Sequence, residues 1–222
     1  MLTLFDYLPS RNAWKVRQLL QHVQRPYRRV FISIFEGEGQ AESYRRINPT
    51  GTVPAIEFED GRVLAESNPI LFHLAEDTPY LPGDAFARAK VLQWLSFEQE
   101  RIESQVGALR HWTMTGKLAR RDPALVAVKR AAAGNALAVL DAELATRAFV
   151  AGTAYTIADI AVFAYASRAD EAEGLSLQPF GHLRAWIERV RAQPGFLDET
   201  SRIRSIRIRQ SNCRRPGAAC LL

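Results

Sequence analysis

Residues 48–70, NPTGTVPAIEFEDGRVLAESNPI, constrain the fold more than any other stretch of this 222-residue chain. Ala55, Ile56 and Phe58 form a short apolar run, Asp60-Gly61 is a hairpin turn signal, and Val63-Leu64 begin a return strand. The return ends in Glu66-Ser67-Asn68-Pro69. Ser67 is a good helix N-cap, Pro69 sits in the first turn, and Ile70, Leu71 and Leu74 continue at helical spacing. Val53-Pro54 enters the first strand, where a proline cannot donate to the ladder and marks an edge or a special peptide bond. The unit is a hairpin running into a helix, with a proline at its entrance and a carboxylate beside the helix N-terminus. Backbone amides at the positive end of a helix suit an anionic, peptide-like ligand.

The preceding residues supply the partners of that hairpin. Leu2-Thr3-Leu4-Phe5 is a short strand, Asp6 to Pro9 a loop, and Ser10 or Asn12 caps a helix running to about His22. Trp14, Val16, Leu19, Leu20 and Val23 approximate one apolar face of that helix, and Pro26 stops it. Val30, Ile32 and Ile34 alternate with Phe31, Ser33 and Phe35, which predicts an internal strand apolar on both faces. Gly37 and Gly39 break it, and residues 41–47 form a short helix. The order strand, helix, strand, helix, strand, strand, helix is thioredoxin-like: a mixed sheet of four strands with helices on both faces.

After residues 80–84, YLPGD, only helical patterns remain. Residues 86 to about 115 read as one long amphipathic helix, and Asp122-Pro123 starts the next. Thr156 and Asp159 have capping-box spacing ahead of the apolar run 160–165, and residues 180–191 form the last clear helix. The predicted class is α/β plus all-α. Residues 1–80 form a thioredoxin-like domain, 81–85 a linker, 86–198 a helical bundle and 199–222 a basic tail that packs little.

Charge and cysteine usage narrow the chemistry. The net charge of +5 is misleading, because six of the 29 basic residues lie in residues 201–222, which hold no acidic residue. The remainder carries 23 Lys+Arg against 24 Asp+Glu, which argues against nucleic acid as a partner. Both cysteines, Cys213 and Cys220, lie in that tail, so the body has no thiol nucleophile, disulfide or cysteine-based metal site. The four histidines lack metal-ligand spacing, and no metal is expected. No membrane span and no signal peptide are evident, and the expected compartment is the cytoplasm. The tail's arginines among Ile203, Ile206 and Ile208 leave an anionic-surface anchor open as its alternative role.

Val53-Pro54 and Glu66-Ser67, separated by a D-G hairpin, resemble the glutathione-binding half of the glutathione S-transferase family. The Thr156–Asp159 box and the Pro194-Gly195-Phe196 that closes a W-x-x-R-V helix resemble its helical domain. The resemblance covers about residues 1 to 198. It implies glutathione as co-substrate, a cis peptide bond before Pro54 and backbone pairing of Val53 with the cysteinyl part of glutathione. It also implies a grip on the γ-glutamyl end by Glu66-Ser67. Ser10-Arg11-Asn12-Ala13-Trp14-Lys15-Val16 resembles the thiol-activating segment of the serine-type and related bacterial branches (theta-, zeta- or nu-like). Ser10 aligns with their catalytic hydroxyl and Asn12 with an asparagine that some branches use; either residue can equally act as a simple cap. Tyr7 lies where tyrosine-type members place their donor. Thr52 stands where many members have a basic residue, and Ala13 where a cysteine is often found nearby; Lys15 can supply the missing charge, although on a helix it is expected to be solvated.

The resemblance further implies a transferase conjugating the glutathione thiolate to small electrophiles, a role in detoxification, and a twofold dimer. The alternatives are a glutathione-dependent disulfide reductase or peroxidase, and a non-catalytic binding protein on the same scaffold. The electrophile is expected between the domains, beside Arg110, His111, Trp112 and Met114, although Trp112 and Met114 read equally well as core.

Overall fold

A computed structural model describes residues 1–198. The expectations for the 201–222 tail lie outside the described residues. Four strands form one mixed sheet: β1 (Leu2–Asp6), β2 (Tyr27–Phe31), β3 (Ala55–Glu57) and β4 (Val63–Ala65), in the order β2-β1-β3-β4. β1 runs parallel to β2 and antiparallel to β3, which pairs antiparallel with β4. All five residues of β1 are buried, as expected of the strand flanked on both sides and packed on both faces.

β2 differs from the internal strand predicted over Val30 to Phe35. It is an edge strand, it starts earlier, and it ends at Phe31 before a 3₁₀ turn over Ile34–Glu36. The two-sided apolar pattern has another cause. Val30, Ile32 and Ile34 pack on a small cluster of Phe5, Tyr7, Tyr44, Val53 and Ala55. Phe31 and Phe35 turn outward, 47% and 57% exposed, against the ring of Tyr7. The helix predicted over 41–47 shortens to α2, Glu42–Arg45, between α1 (Arg11–His22) and β3.

Helix α3 (Ser67–Leu74) follows β4 directly. Its cap position is held by Glu66 at φ 69°, not by Ser67, whose side chain is buried and engaged elsewhere. Among the described residues from there on, the regular elements are helical, with one isolated bridge between Phe149 and Gly152. The predicted long helix is one continuous rod of three parts: α4 (Ala85–Phe97), a π-helical stretch (Glu98–Gly107) and α5 (Ala108–Met114). Such i→i+5 stretches are rare and recur at functional sites. In an α-helix, residues five apart point roughly 140° away from each other. In the wider turn Glu98 and Glu103 share a face.

Helices α6 (Pro123–Leu144), α7 (Ile157–Ala166) and α8 (Gly181–Arg191) complete the bundle. Asp122 caps α6, and both halves of the Thr156–Asp159 box form at α7, whose residues are almost wholly buried. α6 is long and apolar enough to cross a membrane by length and composition. Its inner face, including Ala133, Leu137 and Leu140, belongs to the core. The two halves are joined where α1 packs on α7. Tyr80 O accepts from Ile157 N at 3.0 Å, and His22 stacks on Tyr80 and hydrogen-bonds the Tyr155 hydroxyl.

Candidate active site

The register of the sheet decides which loops meet. Phe5 pairs with Ala55, and Ala55 with Ala65. One residue further, Asp6, Pro54 and Glu66 lie side by side at the same end of the sheet. That end is also where β1 runs into α1 and β4 into α3, so two helix N-termini face one place. The amides of their first turns have no intrahelical acceptor.

The loop into α1 is braced from beneath. Arg17 is buried, pairs with Asp6 and donates to Leu8 O at 3.1 Å, while Ser10 N donates to Tyr7 O at 2.8 Å. Ser10 is the N-cap, its Oγ accepting from Ala13 N at 3.2 Å. Among the described residues no acceptor for its O–H is found. Tyr7 is buried among aromatic rings, and Asn12 is turned toward the long helix.

The Val53-Pro54 bond is cis, as expected. The turn before it is held by polar contacts, with Thr52 O accepting from the Tyr44 hydroxyl at 2.6 Å and from Asn48 Nδ2 at 2.8 Å. Burial pushes the Tyr44 hydroxyl up to about 12, so it remains a donor at physiological pH. Gly51, at φ 69°, passes so close to Gly39 that a Cβ would sit 2.4 Å from Gly39 O. Thr52 itself is exposed, and its hydroxyl shares a 2.7 Å bond with that of Thr50.

Glu66 is exposed beside the helix start, with a positive φ that few non-glycine residues adopt. Such conformations collect at functional sites. The Ser67 hydroxyl points inward: Lys15 Nζ donates to it at 3.3 Å, and it donates to Asn12 Oδ1 at 3.4 Å. What Ser67 offers a ligand is its backbone N–H.

Lys15 corrects the expectation of a solvated side chain. It is fully buried, with Nζ 2.9 Å from the equally buried Glu98 and 3.7 Å from Glu103. Asn12 Nδ2 donates to Glu103 Oε1 at 2.6 Å, and Asn68 Nδ2 donates to Glu98 Oε2 at 3.0 Å. Burial, more than its neighbour Glu103, pushes the Glu98 carboxyl up, and Lys15 opposes it. The sequence gives no sign of the pairing of Lys15 with Glu98 and Glu103, because the contact joins α1 to a helix far along the chain. Five-residue spacing is no signal in an α-helical reading.

The four residues expected at the electrophile site divide. His111 stacks on Phe35 with centroids 5.7 Å apart, and Phe35 meets Tyr7 edge-on at 5.3 Å. Burial and the cations Lys117, Arg121 and Arg110 lower the His111 pKa. Arg110 pairs with Glu171 at 2.5 Å. Trp112 is packed against the core beneath Arg121 and Lys129, and Met114 is exposed near the end of α5. Phe31 and Phe35 are the residues here that sequence reading missed, because their outward aromatic rings resembled a strand face. Among the described residues no group of three or more acidic, histidine or cysteine side chains could hold a metal.

A family model described as the glutathione S-transferase N-terminal domain matches residues 9–77, and one described as the C-terminal domain of the same proteins matches residues 109–194. An uncharacterized GST-like protein of Streptococcus mutans is 30% identical over 207 residues, covering 84% of this chain and 77% of that protein. A glutathione S-transferase structure from Pseudomonas fluorescens superposes with a TM-score of 0.85 at 32% identity, over 90% of this chain and 98% of that one. A further family structure from the same organism, with two glutathione molecules bound, has a TM-score of 0.77 and 25% identity, over 87% of this chain and 89% of that one.

Proposed function

The chain belongs to the glutathione S-transferase family, and we propose that it is an active transferase conjugating the glutathione thiolate to small electrophiles. The observation that carries the reading is the meeting of Ser10, Val53-Pro54 and Glu66-Ser67 at one end of the sheet, between two helix N-termini. On this reading residues 1–80 hold glutathione, residues 86–198 supply the far wall of the cleft, and 81–85 links them. Val53 pairs with the cysteinyl backbone, the Ser67 amide and Glu66 take the γ-glutamyl end, and Thr52 lines the entrance. A free thiol near ~8.5 is only about 3% thiolate at pH 7. Lowering it by about two units makes about three-quarters thiolate and needs about 2.7 kcal/mol of preferential stabilisation. The Ser10 O–H and the dipole of α1 are the proposed source. The thiolate sulfur then bonds to the electrophilic carbon as the leaving group departs with its electron pair. Tyr7, Phe31, Phe35 and His111 offer flat rings against which an aromatic electrophile can lie.

A second reading, a glutathione-dependent disulfide reductase, is favoured by Asn12 in the first turn of α1, two residues after Ser10. Binding to immobilised glutathione, followed by chlorodinitrobenzene and disulfide-reduction assays, separates the two. Conjugation faster than disulfide reduction supports the transferase; the reverse supports the reductase. Binding without either activity leaves a non-catalytic binding protein, and no binding contradicts all three. The two-domain enzyme is expected to act in the cytoplasm, in detoxification.

Dimerisation is part of the same proposal. Leu125, Val128 and Val139 are exposed along one stripe of α6, and Leu92 is exposed on α4. A groove of about 370 Å³ runs between α6 and the π-helical stretch, lined by Phe97, Ala136 and Val139 together with Glu100 and Arg101. A self-complementary apolar face with an acid and a base suits a twofold contact. Sedimentation at micromolar concentration is expected to give a dimer, and Val128→Glu a monomer. A monomeric wild type would remove this part of the account.

A further inference from the structure

Behind the proposed thiol site lies a closed polar cluster that takes no direct part in the proposed reaction. Lys15 stands at its centre, touching Glu98, Glu103 and Ser67, and the latter two both touch Asn12. We propose that Lys15 is a positioning residue: it holds Ser67 directly and Asn12 through Glu103, and its one positive charge partly offsets the two carboxylates, so that less negative potential lies beneath the bound thiolate. The proposal rests on the reading of this site as one for a glutathione thiolate.

Three observations carry it. A lysine with no exposed surface is retained only with partners, and here both partners are carboxylates of the π-helical stretch. Those carboxylates are fixed by further contacts, Glu98 by Asn68 and Glu103 by Gln99 Nε2 at 3.2 Å, so they act as a frame rather than as mobile counterions. The Ser67 hydroxyl and the Asn12 carboxamide are saturated by this frame on their inner side, which sets how the N-terminus of α3 and the first turn of α1 face each other. Tyr165 on α7 faces the cluster, its ring centroid 5.6 Å from Lys15 Nζ, and its hydroxyl feels Glu103 and Glu98 together with Arg11 on α1 and Arg110 on α5. A purely structural ion pair tying the halves together would predict only a loss of stability.

Lys15→Met/Glu98→Gln separates the two roles, because it removes the two fully buried charges together and leaves the remaining negative charge on Glu103, against Asn12, with no cation beside it. With Glu103 then uncompensated, the apparent pKa of bound glutathione is expected to rise by about one unit, so kcat/KM falls about ten-fold at acidic pH and recovers in alkali. Adding Glu103→Gln, which removes the charge while keeping an acceptor for Asn12, is expected to reverse the shift. Glu103→Gln alone, at a half-buried position, serves even if the double variant does not fold, and is expected to lower the bound-thiol pKa by about half a unit. A folded double variant with an unchanged pH profile, or an unchanged or raised pKa in Glu103→Gln, overturns the proposal alone. A wild type that does not bind glutathione overturns the transferase reading as well.

Discussion

Asp159→Ala is expected to be among the most destabilising single changes in the chain. The carboxylate is wholly buried and accepts from Val150 N at 3.0 Å, Thr156 N at 2.9 Å, Thr156 Oγ1 at 3.2 Å and Trp186 Nε1 at 2.9 Å. Alanine removes half of the capping box, worth about 1 kcal/mol. It also strands the Val150 amide and the Trp186 indole N–H in the core, at about 1–3 kcal/mol each. A loss of about 4 kcal/mol in urea unfolding is expected, with an unchanged denaturant slope. A loss below about 1 kcal/mol would mean that the core readily supplies other acceptors. Burial pushes the Asp159 carboxyl up to about 6, against the four donors. Between about pH 4 and this value the folded state retains a proton that the unfolded chain has lost. This contribution to stability is therefore full at low pH and lost as pH rises through that window. Asp159→Asn should flatten it.

Ser10→Ala is expected to raise the apparent pKa of bound glutathione by about one to two units, because a hydrogen bond to an ionised acceptor is worth roughly 1.5–3 kcal/mol. At pH 7 the thiolate fraction, and with it kcat/KM, should fall about three-fold for a rise of one unit and about 25-fold for two, while glutathione affinity falls much less, since Val53, Glu66 and the Ser67 amide hold the peptide by other contacts. Asn12→Ala should leave the thiol pKa nearly unchanged. In the structure its carboxamide is engaged at both ends, by Glu103 and Ser67, whereas the Ser10 O–H has no acceptor among the described residues. If Asn12 is the donor the two results exchange, and disulfide reduction gains weight. An unchanged pKa in both variants would rule out either side chain as the source and leave the helix dipole or Tyr7.

The parts of the fold legible in sequence were those specified by local chemistry. Asp60-Gly61 marks its hairpin, Asp122-Pro123 and Thr156–Asp159 start their helices, and the order of apolar runs reproduces the mixed sheet. What failed was decided by distant partners. The apolar alternation over Val30 to Phe35 is divided between a small cluster on one side and the cleft aromatics on the other, so an edge strand and a turn imitated an internal strand. Lys15 is buried only because a π-helical stretch brings Glu98 and Glu103 to it, and nothing in its own helix announces that. Ser67 looked like a cap because serine usually caps; the neighbouring Glu66, at positive φ, holds that position instead. The register that brings Ser10, Pro54 and Glu66 together became visible only with the strands paired.

The central claim is that this end of the sheet stabilises a thiolate, and the ultraviolet absorbance of the thiolate in glutathione bound to the wild-type protein tests it most directly when followed against pH. A midpoint about two units below the free thiol, near ~6.5, is the predicted result. A midpoint at the free value of ~8.5, or no saturable binding at all, would contradict it.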